Sequence, residues 1–184
     1  MLLDFKHFIL RSPEPKEISR QRADRNIDQI RRDVYDSHHH RAYALAYYMT
    51  GNELAAEDLL ARCFTRAFVD KEVPDGGDVD RSLLEELRTD GVLGELEMSR
   101  MPEAGAGLQA GANILRTDIE EALGELPSAE RLIFLLSDVE GYRAAAIAEL
   151  LGRPEAEIAR SLMAARLRLR QALAGLQQKR GHAA

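Results

Sequence analysis

One cysteine, no tryptophan and no apolar run of membrane-spanning length: the 184-residue chain is defined first by what it does not contain. A lone Cys63 cannot close an internal disulfide, so a reducing cytoplasm is the expected compartment. No stretch reaches the ~18 apolar residues of a transmembrane helix, which leaves no expected membrane partner. The opening MLLDFKHFIL is interrupted by Asp4, Lys6 and His7, which spoils it as the apolar core of a signal peptide. Alternating β-branched stretches of strand length are missing too, and with them the case for a sheet. No nucleophile stands beside a base, and there is no ligand cluster or phosphate-cradling loop, so neither an enzyme nor a cofactor is expected. Aromatics are scarce, and none falls between Val69 and Asn113.

What remains is rich in Ala, Leu, Glu and Arg, and it reads as helix almost throughout. The expected fold is all-α: two small helical domains joined by a flexible linker. Ile27, Ile30, Val34, His38, Ala42, Leu45 and Met49 recur every three or four residues, marking one long helix that Gly51 ends. Asn52 is suited to cap a second helix through about Val69, with Ala56, Leu60, Cys63, Phe64 and Ala67 as its inner stripe. VPDGGDVD reads as a turn, after which Asp80 is placed to cap a short helix around Leu83 to Leu87. Residues 1–24 form an N-terminal segment, 25–92 the first domain, 93–113 a Gly- and Pro-containing linker, and 114–178 the second domain.

Thr117 and Glu120 have the spacing of a capping box at the start of that second domain. Pro127 and Ser128 start the next helix, and Gly141 breaks it. The last pair of helices has the spacing of a helix-turn-helix. Ala148 sits where two helices approach, Gly152 where the chain needs positive φ, and Ile158 where the second helix is anchored. In such a unit the first turns of the second helix reach a DNA major groove.

Charge is unevenly spread over the net −6. Residues 1–45 carry 9 Lys/Arg and 7 Asp/Glu, 46–112 carry 6 and 14, and 113–184 carry 10 of each, so the acid is concentrated in the middle. His38, His39 and His40 raise the question of a metal. Consecutive helical residues diverge by about 100°, however, so the three rings cannot converge on one ion. One histidine is expected to pack and the others to be solvated, with no metal site.

VYDSHHHRAYALAYYMTGNELAAEDLLARCFTRAF (Val34 to Phe68) resembles the polymerase-binding domain of bacterial extracytoplasmic-function sigma factors. The block from Ala122 to Leu173 resembles their promoter-reading domain, including the Leu126-Pro127 start and the Asp138-Val139-Glu140-Gly141-Tyr142 bend. The resemblance implies a transcription initiation factor of two helical units, resembling sigma regions 2 and 4. Such a factor binds core RNA polymerase and promoter DNA and is commonly held by an anti-sigma factor. By that resemblance Glu57, Asp58 and Arg62 fall on the polymerase-docking helix, and Arg153, Glu155, Glu157, Arg160, Ser161 and Arg166 fall on the DNA-reading element.

The chain departs from the family pattern at three places. Ala61 and Arg62 follow Asp58-Leu59-Leu60 where the family carries Gln-Glu, and Arg62 reverses a charge on the docking face. The acidic stretch after this helix has no aromatic side chain on which an unpaired base could stack. The reading helix opens with Glu155, Ala156 and Glu157; these favour the helix dipole and repel phosphates, although glutamate accepts from cytosine N4. Arg168 and Arg170 read as a solvated face. The alternative function is therefore a sigma-like decoy that binds an anti-sigma factor or the polymerase without melting promoters, through apolar faces near Leu60, Phe64 and Leu162.

Overall fold

A helix of 36 residues, Pro15–Thr50 (α1), is the spine of the computed structural model, which describes residues 15–93, 101–102 and 114–183. Its apolar stripe is uneven in effect. Ala42, Leu45, Ala46 and Met49 are buried, whereas Ile27, Ile30 and Val34 are only half-covered. Gly51, at φ +67°, ends the helix in the left-handed conformation that a side chain disfavours. Asn52 then caps α2 (Glu53–Asp70), its Oδ1 accepting from the Ala55 N–H at 3.0 Å.

Leu59 rather than Leu60 seals the inner face of α2. Ala56, Leu59, Cys63 and Ala67 keep the spacing of three and four, and Leu60, about 100° further round, is only half-buried. Cys63 is fully buried, and its thiol lies 3.4 Å from the Val79 carbonyl. Burial, reinforced by Asp80 and Glu86, pushes this thiol up to about 12. At pH 8 the thiolate fraction is then on the order of one in ten thousand. Cys63 in the native protein should therefore react with Ellman's reagent only as fast as the chain opens, and react promptly in denaturant. Prompt reaction of the native protein would contradict this packing.

The next helix starts earlier than its sequence suggests. α3 spans Gly76–Thr89 and is capped by Asp75, not Asp80. The Asp78 N–H donates to Asp75 Oδ1 at 3.0 Å, and the Asp75 N–H donates to Asp78 Oδ2 at 2.8 Å. The Gly-Gly pair that reads as a turn is helical because α3 begins against α1. A Cβ on Gly76 would lie 2.6 Å from the His38 ring. His38 is thus the histidine that packs. His39 stacks on Tyr35 with ring centroids 4.8 Å apart and bonds to the Tyr35 carbonyl, while His40 is exposed. Asp80, taken from sequence as a cap, lies within α3 and is buried.

α4 (Arg116–Gly124) opens with a second correction. Asp118 accepts from the Leu115 N–H at 2.8 Å, and Glu120 pairs with Arg116 instead of completing a box with Thr117. That backbone hydrogen bond is the main reason the Asp118 carboxyl sits below its ordinary value, and Arg180 adds to it. α5 (Ser128–Phe134) runs into a single π-helical turn, Leu135–Val139, and Gly141 at φ +75° closes the bend. α6 (Ala144–Leu151) and the long α7 (Glu155–Ala183) complete the chain. No strand occurs among the described residues, and none of their helices is long and apolar enough to cross a membrane.

The apolar residues of α1–α3 and of α4–α7 join one continuous cluster. Polar contacts reinforce the junction. Arg131 places its guanidinium against the carbonyls of Tyr48 (3.3 Å) and Met49 (3.2 Å) at the end of α1, of Gly124 at the end of α4 and of Leu126 just after it. Ser128 Oγ donates to the Leu93 carbonyl at 2.9 Å. Most of the expected linker, and the first 14 residues, lie outside the described residues.

A candidate DNA and polymerase interface

Gly152, at φ +64° and ψ 37°, ends α6 in the left-handed region, and the Arg153 N–H returns to the Ala148 carbonyl at 2.9 Å. Pro154 then offers its carbonyl to the Glu157 and Ile158 N–H groups as α7 begins. Ile158 is buried in the same cluster as Ile147 and Leu151, which locks the second helix across the first. Gly152 thus has the expected positive φ, Ile158 the expected burial, and Ala148 is half-buried against the same cluster.

Burial selects which face of α7 looks outward. Glu155, Ala156, Ala159, Arg160, Met163 and Arg166 are exposed, at spacings that keep them on one side of the helix. Ser161 is half-buried. The cations of this element are largely spoken for. Arg153 Nε lies 3.2 Å from Glu157 Oε2. Arg166 binds Asp138 in the bend through two bonds, of 2.8 and 2.5 Å, which hold the Asp138 carboxyl below its ordinary value despite partial burial. Arg160 turns its Nε to the Ala156 carbonyl one turn earlier, at 3.3 Å, and has no carboxylate partner among its described contacts. Arg168, read from sequence as solvated, reaches inward to the fully buried Glu130.

On α2, Glu57 and Asp58 are exposed, and Asp58 is paired with Arg62. Arg62 is placed differently from its sequence expectation. Its guanidinium contacts Asp58, Glu86 and Asp90, and Arg66 takes the other oxygen of Glu86 at 2.6 Å. Burial alone would raise the Glu86 carboxyl, but the Arg66 and Arg62 hydrogen bonds outweigh it and hold it below the carboxylate range. Arg62 therefore does not present a reversed charge to a partner; it is neutralised within the fold. A shallow trough of about 460 Å³ runs beside it, lined by Ala61, Thr65 and Val69.

Residues 116–169 match the family model for sigma-70, region 4. No curated protein matches the chain. The matched segment begins with α4 and ends midway along α7, so it takes in the bend, both helices of the helix-turn-helix, and all six of the expected DNA-reading residues. The matched family is a transcription-factor domain, and the segment similar to it carries a helix-turn-helix. Three residue sets that bear on it escape a reading of local pattern: the Arg131 clamp, the Glu130–Arg168 pair, and a knot of Arg41, Asp80 and Tyr142. Each joins positions at least 38 residues apart.

Proposed function

We propose that the chain is a sigma-factor-like transcription initiation protein, in which the region 4-like unit reads promoter DNA and α1–α3 bind core RNA polymerase. The observation that carries this is the helix-turn-helix within the matched segment, with the first turns of α7 exposed. Arg160 is the backbone-positioning cation, and Glu155, Ala156, Ala159 and Met163 are the groups offered to base edges. Glu57 and Asp58 on α2 are the acidic contacts offered to the polymerase, as the resemblance to the extracytoplasmic-function class implies.

A second reading draws on the charge of the same surfaces. Arg153 and Arg166 each carry a carboxylate partner, and residues 46–112 are strongly acidic, which favours a protein partner such as an anti-sigma factor over a phosphate backbone. Transcription of genomic fragments by the host core polymerase, with and without the protein, separates the two readings. New specific transcripts support the initiation factor. Polymerase retained in a pull-down with no new transcript supports the decoy, and neither signal overturns both polymerase-based readings.

A further inference from the structure

The outward side of α7, at the end that follows the turn, carries an apolar stripe that packing does not need. Ile158, Leu162, Ala165 and Leu169 form the seam by which this helix joins the core. Ala156, Ala159 and Met163 recur at three and four residues on a second line, within an arc of about 60° and turned about 120° from that seam. All three are exposed, Met163 by 59%, although a methionine left in water forgoes the burial its side chain favours. Arg160 flanks the stripe on one side and Glu155 on the other. From Ala156 to Met163 the stripe runs about 10 Å, the height of about three base pairs.

The side chains missing from this face are as informative as those present. No Asn, Gln or Lys stands between Glu155 and Arg166. Adenine, which is read by a bidentate amide, therefore has no such partner here. Guanine needs a cation, and of the two arginines in this stretch Arg166 is engaged by Asp138. That leaves Arg160, whose place at the flank suits the phosphate backbone. Glu155 can accept from one cytosine N4, whereas Glu157 is half-buried and held by Arg153. The central line offers only methyl and thioether surface, and the base edge that answers it is the C5 methyl of thymine. Met163, unbranched and polarisable, can follow a methyl whose position shifts with the groove.

We propose that α7 recognises its site through the C5 methyl groups of a short thymine run, packed on Ala156, Ala159 and Met163 in the major groove and flanked by a phosphate contact from Arg160. The inference rests on the DNA-reading function proposed above and names the class of sequence that is read.

For the test, the full chain, alone and mixed with host core polymerase, selects duplexes from a random library, with polymerase alone as the reference. A selected fragment is then remade with deoxyuridine in place of single thymines, which removes the methyl and leaves the base pair intact. At two or three adjacent thymines the affinity should fall about three- to fourfold each, the effect of one methyl returned to water. Met163→Ala should weaken the thymine fragment by a similar factor and abolish the uracil response at one of those positions, and Met163→Leu should keep it. Because the site is exposed and Ala, Leu and Met are all good helix formers, neither change should alter the melt. Selected fragments that lack a thymine run, or uracil without effect at every position, would overturn methyl recognition while leaving DNA binding in place. Uracil sensitivity that Met163→Ala leaves complete at every position would overturn its assignment to this stripe. No enrichment over the polymerase reference would overturn the DNA-reading function and methyl recognition with it, and leave the stripe to a protein partner.

Discussion

Arg168→Ala should cost the protein about 2–3 kcal/mol, the largest single-residue effect expected outside the apolar core. Glu130 sits in the first turn of α5 with no solvent exposure, and the Arg168 guanidinium lies 3.1 Å away from α7. Removing one member of a buried pair strands the other charge, which typically costs 3–5 kcal/mol. Arg168 is one-third exposed, so water admitted by the truncation recovers part of that. The remaining cost should appear as a shift in the urea midpoint at unchanged slope. The double variant Glu130→Met, Arg168→Met removes both charges and should restore most of the loss, because an apolar pair of similar volume is close to neutral or better. If the single variant costs under about 0.5 kcal/mol, α7 is held by its apolar face alone. The position matters for function as well. Arg168 lies 13 residues beyond Glu155, about 20 Å along α7, so the pair fixes the angle at which the exposed end of that helix is presented.

That pair illustrates what local pattern does and does not reveal. Spacing of three and four located α1, the end of α1 at Gly51 and the cap at Asn52, because each depends on residues within one or two turns. The helix-turn-helix was legible for the same reason: Ala148, Gly152 and Ile158 act over ten residues. α3 was legible in part. Its Gly-Gly start looks like a turn until His38, 38 residues earlier, is seen to occupy the space a Cβ would need.

The candidate surface divides along the same line. Exposure of Glu57, Asp58, Glu155 and Arg160 follows from helical phase alone. The state of Arg62 does not, since its partners Glu86 and Asp90 lie 24 and 28 residues away, on α3 and just past its end. A charge that sequence assigns to a partner surface is thereby absorbed into the fold. Arg166 meets Asp138 over 28 residues and is similarly quenched. In a chain that is 30% charged, long-range pairing decides which cations remain for nucleic acid, and one-dimensional spacing carries little of that information.

Arg160 and Arg166 should consequently differ in DNA binding, although both lie on the exposed face of α7. Arg160→Ala removes a cation with no described carboxylate partner, so it should lower the slope of log affinity against log salt by about one unit. Over a fourfold change of salt that slope is worth about three- to fourfold in affinity. Arg166→Ala removes one half of a neutral pair. To reach a phosphate, Arg166 would first have to give up two charge-assisted bonds to Asp138, so its loss should leave the slope nearly unchanged. Asp138→Asn supplies the opposite case: with the carboxylate gone, Arg166 becomes available and the fragment affinity and salt slope should both rise, the slope by about one unit. Salt titrations of the four proteins on one promoter fragment decide the matter. Equal flattening by Arg160→Ala and Arg166→Ala would mean that Arg166 swings off Asp138 on contact with DNA. A slope unmoved by Arg160→Ala would remove the first turns of α7 from the DNA surface and leave the protein-binding reading in possession of that face.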